Sequence, residues 1–403
     1  MRLVLLFLFF FPRCQAFAGD SPQDFKAQPN LEWKFLTKGP IVASPVIDGN
    51  TVYVGSSDSV LYALNVGTGT LRWDFRIGGP IKAAVCVDAD RVFLVGGDGT
   101  VRCFSGKSGQ AQWTFKTNGE KLYELYSYAD YYNSSPTVYN NVLYFGSGDG
   151  SVYALKTSTG ELLWTYKTGD VVHGAPVLYH DTLVVGSFDG YAYALHAADG
   201  KLIWKFKSVG HRYFPKGEMQ GSPAVGNGLV YIGSRDYNVY AIDIEKGYCH
   251  WNRQFPLGWA MALSCRDSIL YIGTSDDDLM VAVDGRTGKE LWNTNVKFNT
   301  FGACSFSESM LYLGTLMGKV YGMDRQTGAI RWTFSTDGYK AHHATYFKSE
   351  DRIVKDDFYR IVQTPEGYIR ALHELGGIFS KPALSQSRII VTSTDGAVYC
   401  LGR

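Results

Sequence analysis

The feature that most constrains this chain is a tryptophan that returns at a nearly fixed interval. Trp33, Trp73, Trp113, Trp164, Trp204, Trp251, Trp292 and Trp332 are separated by 40, 40, 51, 40, 47, 41 and 40 residues. A period near 40 marks a propeller or an array, in which each unit buries its faces against its neighbours. Aligned on the tryptophans, the sequence reads ALNVGTGTLRW, CFSGKSGQAQW, ALKTSTGELLW, ALHAADGKLIW, AIDIEKGYCHW, AVDGRTGKELW and GMDRQTGAIRW. The first position is always small: Ala63, Cys103, Ala154, Ala194, Ala241, Ala282 and Gly322. The seventh is always glycine: Gly69, Gly109, Gly160, Gly200, Gly247, Gly288 and Gly328.

Three short β-branched and aromatic runs precede each motif, as in SPVID, TVYVGSSDS and VLYAL, joined by Asp, Asn and Gly turns. With the tryptophan-bearing run LRWDF they make four antiparallel strands per unit, and helical periodicity is not evident at length. The glycine reads as a turn position with positive φ between strands three and four. One tryptophan per unit, matched by one small residue per unit, is a packing device. An indole burying roughly 200 Å² is expected to rest in a socket that a small residue provides in the neighbouring unit. Trp259, in PLGWAM, stands outside the motif.

The pattern resembles the tryptophan-docking motif of the pyrroloquinoline-quinone-type β-propellers, over nearly the whole mature chain. That family comprises quinoprotein alcohol dehydrogenases and propellers of similar motif without cofactor, among them the B subunit of the outer-membrane β-barrel assembly machinery. The expected fold is therefore all-β, an eight-bladed propeller of four-stranded antiparallel blades. The chain ends in AVYCLGR, with Cys400 at the small position and no tryptophan after it, while LEWKF (31 to 35) opens the mature protein with no first three strands before it. The N-terminal strand should complete the last blade and remove two sheet edges. Within the segment after Trp332, YRIVQTPEGYIRAL looks like strands two and three of another unit, so a β-hairpin insertion or a degenerate ninth unit is the alternative.

Residues 1–18 read as a signal peptide: Met1-Arg2, the apolar run LVLLFLFFF, and Ala16-Phe17-Ala18 as the cleavage signal. Residues 19–403 then form a single exported domain, periplasmic or secreted and at most peripheral to a membrane. Pro12 and Arg13 before Cys14 do not fit a lipid-attachment signal. The other six cysteines are too scattered for a disulfide scaffold, and Cys86 and Cys103 fall on strands one and three of one unit, beyond bonding reach. With 39 basic against 38 acidic side chains, the chain lacks the excess that nucleic-acid binding requires.

The oversized connections, 117–133, 208–220 and 336–377, all follow a fourth strand, which places them on one face of a propeller. The first carries Tyr123, Tyr126, Tyr128, Tyr131 and Tyr132, and the second carries His211, Arg212, Tyr213 and Phe214. These aromatics either bind a partner or pack on one another over the channel mouth. His342-His343, taken as strand neighbours, would point to opposite faces, and SDDD (275 to 278) reads as a solvated turn rather than a calcium loop. Asp58, Asp98, Asp149, Asp189, Asp236 and Asp395 recur in the same turn and read as structural.

Two classes of function follow. One is a non-enzymatic scaffold, expected to be a monomer without cofactor, that presents its loop face to a protein, peptide or glycan, possible roles including envelope assembly. The other is a dehydrogenase holding pyrroloquinoline quinone and calcium in the channel, with Trp259 as the floor of the site. The resemblance implies that such an enzyme clamps its quinone between a tryptophan and a ring made by two adjacent cysteines. This sequence has no adjacent cysteines and shorter loops, which favours the scaffold.

Overall fold

In each repeat the second and third strands are apolar along both faces, and both faces are buried in the computed structural model, which describes residues 22–124, 129–347 and 355–403. The reason is the architecture: eight separate four-stranded sheets, each packed between two others. Seven blades are consecutive in the chain, spanning 46–76, 86–116, 137–167, 177–207, 224–254, 260–295 and 305–335. The eighth joins three C-terminal strands to Asn30–Leu36, with Trp33 opposite Cys400, so the ring closes with the N-terminal strand as expected. The fourth strands alternate, with the tryptophan and the residue two positions on turned inward; that second residue is aromatic in six blades and is Arg253 and Thr294 in blades 5 and 6.

The joint between blades differs in one respect from the socket expected. Trp73 faces Ala63 across its own blade, and the same register recurs from Trp113–Cys103 to Trp332–Gly322. The small residue thus clears space within the blade, and the neighbouring blade offers the motif glycine instead. A Cβ on Gly109 would lie 2.6 Å from the Trp73 ring, and Gly69, Gly160, Gly200, Gly247, Gly288 and Gly328 meet the preceding indole in the same way. Those seven glycines have φ between +70° and +75°, as the turn requires. Seven indoles also donate from Nε1 to a carbonyl beside that turn, at 2.9 to 3.0 Å.

Trp332 has no such turn ahead of it, because the fourth strand of blade 8 is Asn30–Leu36 and is not joined to Ala397–Gly402 by a strand-three-to-four turn. Its Nε1 donates to the Phe25 carbonyl at 2.6 Å. Phe25 is buried, its N–H donates to the Tyr312 hydroxyl, and Asp24 accepts from Ser307 and Ser309. The segment before the first strand therefore substitutes for the missing glycine turn.

The recurrent aspartates are structural. Asp58 accepts from Val60 N, from the Tyr62 hydroxyl and from Lys38 N, the last on the connection that enters its blade. Asp149, Asp189, Asp236 and Asp395 repeat this set with Tyr153, Tyr193, Tyr240 and Tyr399, while Asp98 takes Arg102 in place of tyrosine. These bonds tie the turn between strands two and three to the connection between blades, which fixes both on one face. In blade 2 the strand carrying Phe93 separates Cys86 from Cys103, and the six described cysteines are free thiols.

The segment after blade 7 is helical, which corrects the hairpin and ninth-blade readings. It holds α1 (Asp337–Tyr346), α2 (Lys355–Val362) and α3 (Pro365–Glu374). Thr336 and Thr364 cap α1 and α3, and Pro365 occupies the first turn of α3, where its missing N–H costs nothing. Buried Phe358, Val362, Ala371, Leu372 and Leu375 follow the helical period, which a reading in pairs of alternating residues misses. His342 and His343 accordingly lie on α1 and not on a strand.

Candidate functional site at the mouth of the ring

The three long connections converge where the first strands begin, at the axis of the ring. One apolar cluster there joins Val42, Met261, Phe301 and Phe379, which precede or enter first strands of blades 1, 6, 7 and 8, with Tyr131 and with Tyr346, Phe358, Leu372 and Leu375 of the helices. Tyr131 stands 5.4 Å from Phe301 and 5.0 Å from Phe379, and the Tyr132 hydroxyl donates to the Phe379 carbonyl at 2.9 Å. Residues 129–133 are thus a strap, leaving blade 2 and reaching blades 7 and 8. Among the described residues, side chains of these connections pack together across the mouth.

Beside this plug lies a buried polar cluster. His173, fully buried before blade 4, has Nδ1 2.8 Å from Asp130 and Nε2 2.6 Å from Glu120. Burial alone would disfavour the charged ring, but the two carboxylates outweigh it and raise the pKa to about 9. Lys82 donates to the Asp130 carbonyl, and burial lowers its pKa. Tyr123 donates to Glu218 at 2.5 Å, and burial together with that carboxylate raises the phenol pKa. The carboxylates bind opposite nitrogens of His173, so the three groups do not converge on a point where a metal would sit. Among the described residues no group of three or more His, Cys, Asp or Glu is arranged to hold a metal ion.

Of the residues singled out in the sequence, Tyr123 and Tyr131 are buried and Tyr132 is partly buried in the plug. Tyr126 and Tyr128 lie outside the described residues. His211 stacks on Tyr237 at 4.4 Å, Phe214 packs on Trp259 at 5.1 Å, and Arg212 covers the exposed ring of Tyr213. Beyond these rooted groups, Val209, Tyr213 and Leu257 stand 78%, 54% and 62% exposed on the same face.

Glu120, Asp130, His173, Glu218 and Arg235 escaped the sequence reading. A signal existed at one of them: the turn read as SSDS, GGDG, SGDG and STDG in other blades is SFDG in blade 4 and SRDY in blade 5. Its second residue faces the mouth, and Phe188 and Arg235 are both fully buried there.

The quinone site does not fit these residues. Trp259 packs on Phe214 at 5.1 Å, carries the Arg235 guanidinium 4.8 Å from its ring and lies against the plug, contacts that a planar cofactor stacked there would have to displace. No adjacent cysteines supply the opposing clamp.

Fold and mouth together define a tryptophan-docked, eight-bladed propeller with a plugged axis. Over residues 23–164, 124–258 and 251–377 the chain matches the family described as outer membrane protein assembly factor BamB, and it belongs to that family. A BamB from Nitrosomonas eutropha is 24% identical over 122 residues, a stretch spanning 29% of each protein. The BamB structure from Moraxella catarrhalis superposes with a TM-score of 0.69 at 15% identity, covering 93% of this chain and all (100%) of the other. A quinohemoprotein alcohol dehydrogenase from Comamonas testosteroni gives 0.70 at 13% identity, covering 94% of this chain and 78% of its own. Saccharomyces cerevisiae Sqt1 gives 0.70 at 12%, covering 93% and 99%. At such identities these structures share the fold, which by itself hosts unrelated functions.

Proposed function

We propose that the protein is an exported, non-catalytic scaffold that presents the decorated face to a protein partner during assembly of the outer membrane or envelope. The observation that carries this reading is the contrast on that face between anchored and solvent-exposed apolar groups. Phe214 and His211 anchor the 208–220 connection, while Val209, Tyr213 and Leu257 project from it and from its neighbour into solvent. Apolar and aromatic groups held on a stiff base are what a protein partner can bury at little ordering cost. Family membership supports the envelope role, and the side chains packed across the mouth support the absence of catalysis.

The test is in-cell photocrosslinking from position 213, with exposed Thr68 on the opposite face as control. A discrete protein adduct from 213 and none from 68 is expected. Adducts from both positions, from neither, or to a glycan would overturn the reading. Titration of purified protein with pyrroloquinoline quinone and calcium is expected to leave Tm unchanged, and a saturable shift with dye-linked alcohol oxidation would restore the enzyme.

A further inference from the structure

Arg235 lies at the second position of the blade 5 turn, and its side chain is fully buried. Among the described residues, four rings from four separate loops and turns stand around the guanidinium carbon: Trp259 at 4.8 Å, Phe188 at 5.4 Å, Tyr123 at 5.6 Å and Phe214 at 5.8 Å. Polar acceptors meet two of the three guanidinium nitrogens. Gln220 Oε1 receives Nε at 3.2 Å and Nη2 at 2.6 Å, and the Ala129 carbonyl receives Nη2 at 2.9 Å. Glu218, fastened to the Arg235 backbone N–H through its own carbonyl, supplies a buried negative charge nearby. Aromatic faces around a desolvated cation, with acceptors placed for a planar fork, are how proteins recognise guanidinium groups.

We propose that these four rings, with Gln220 and the Ala129 carbonyl, form a binding site for a guanidinium-type cation, that Arg235 occupies it as a built-in ligand, and that this occupancy fixes the strap 129–133 across the mouth. The Ala129 carbonyl is the near end of that strap, and Gln220 Nε2 donates to it as well, at 2.8 Å. Its far end is the Tyr131 and Tyr132 contact with Phe379. His173 and Lys82 hold Asp130 between the two. Emptying the cage therefore frees one fastening of the strap and leaves the blades intact. Lysine cannot replace the arginine, because a point charge offers no fork.

The test is amide hydrogen exchange on the full chain, comparing wild type with Arg235→Ala and Arg235→Lys. Removing Arg235 is expected to speed exchange of residues 129–133 by about tenfold or more while the blade strands keep their protection. Millimolar guanidinium chloride, far below denaturing concentrations, should restore protection in Arg235→Ala in a saturable way, with sodium chloride inert and wild type unaffected. Unchanged exchange, a uniform rise across all blades, or no rescue by guanidinium would overturn the proposal. Should Arg235→Ala fail to fold, Arg235→Lys decides: faster exchange confined to 129–133 supports the cage, and unchanged or uniform exchange refutes it.

Discussion

The joints between blades and the mouth of the ring solve the same packing problem with different materials. At the joints an indole lies against a glycine in positive φ, and one carbonyl takes its N–H; these parts recur seven times. At the mouth, a buried arginine, a histidine between two carboxylates and three short helices each occur once. A repeated joint varies little, because each blade must accept the next. The mouth has no such constraint, and a stiff ring lets it carry charge in the interior. Buried charges contribute little net stability even when paired, but losing one partner is costly, so they hold a particular arrangement in place.

The eighth joint is where this comparison breaks most easily. Removing residues 22–36 deletes the fourth strand of blade 8 and the Phe25 carbonyl that Trp332 uses. The loss should exceed about 5 kcal/mol, comparable to the whole stability of many domains. Calorimetry should show no cooperative transition. A truncated chain that melts within a few degrees of the full one would mean the ring does not depend on closure.

Next in size is the contrast between two tryptophans. Trp164 is a joint residue, buried between blades 3 and 4, whereas Trp259 belongs to the mouth. Trp164→Ala should cost about 3–5 kcal/mol in urea denaturation. Trp259→Ala should cost less than Trp164→Ala in the same denaturation, and its main effect should be faster exchange at residues 129–133. Equal losses at both positions would dissolve the distinction.

The same contrast explains what the sequence shows and what it hides. A joint is visible because seven copies align: Ala63, Gly69 and Trp73 each have counterparts at fixed spacing. The mouth has no second copy to align. Glu120 meets His173 and Arg235 meets Ala129 across 53 and 106 residues of sequence, and no local spacing announces either contact. The helices were hidden for a different reason. Apolar residues such as Ile361, Val362 and Ile369, with Tyr359 and Tyr368 close by in sequence, satisfy strand preferences, and only the Thr364-Pro365 start and the buried positions from Phe358 to Leu375 reveal the longer period. Of the mouth's charged groups, the arginine alone left a trace, as the one basic residue at the second position of a recurrent turn.

His173 separates mouth from ring by pH. Its pKa is raised from the ordinary 6.5 to about 9, so its contribution is fully present below the ordinary value and is lost as pH rises through about 9. The amount at stake is up to about 3 kcal/mol. The charged groups around it (Asp130, Glu120, and Lys82 through the Asp130 carbonyl) belong to the same cluster. Wild type should lose stability between about pH 7 and 9, and His173→Gln should start lower and lack that slope. Parallel profiles for the two proteins would remove His173 charge from the account of the mouth.

The smallest expected change in stability tests the outermost layer of the mouth. Tyr213 is more than half exposed, and its partners include surface groups: Arg212 over its ring, with a hydrogen bond to its hydroxyl, and the neighbouring His211. Tyr213→Ala should shift stability by less than about 0.5 kcal/mol. Phe214, one residue on, is anchored against Trp259 and Arg235, so Phe214→Ala should disturb the cage and strap as well. If the decorated face receives a partner, Tyr213→Ala lowers capture from a crosslinker placed at Leu257 while leaving exchange at 129–133 as in wild type. If Tyr213→Ala instead loosens the strap, the exposed groups belong to the plug, and the docking surface must lie elsewhere on the ring.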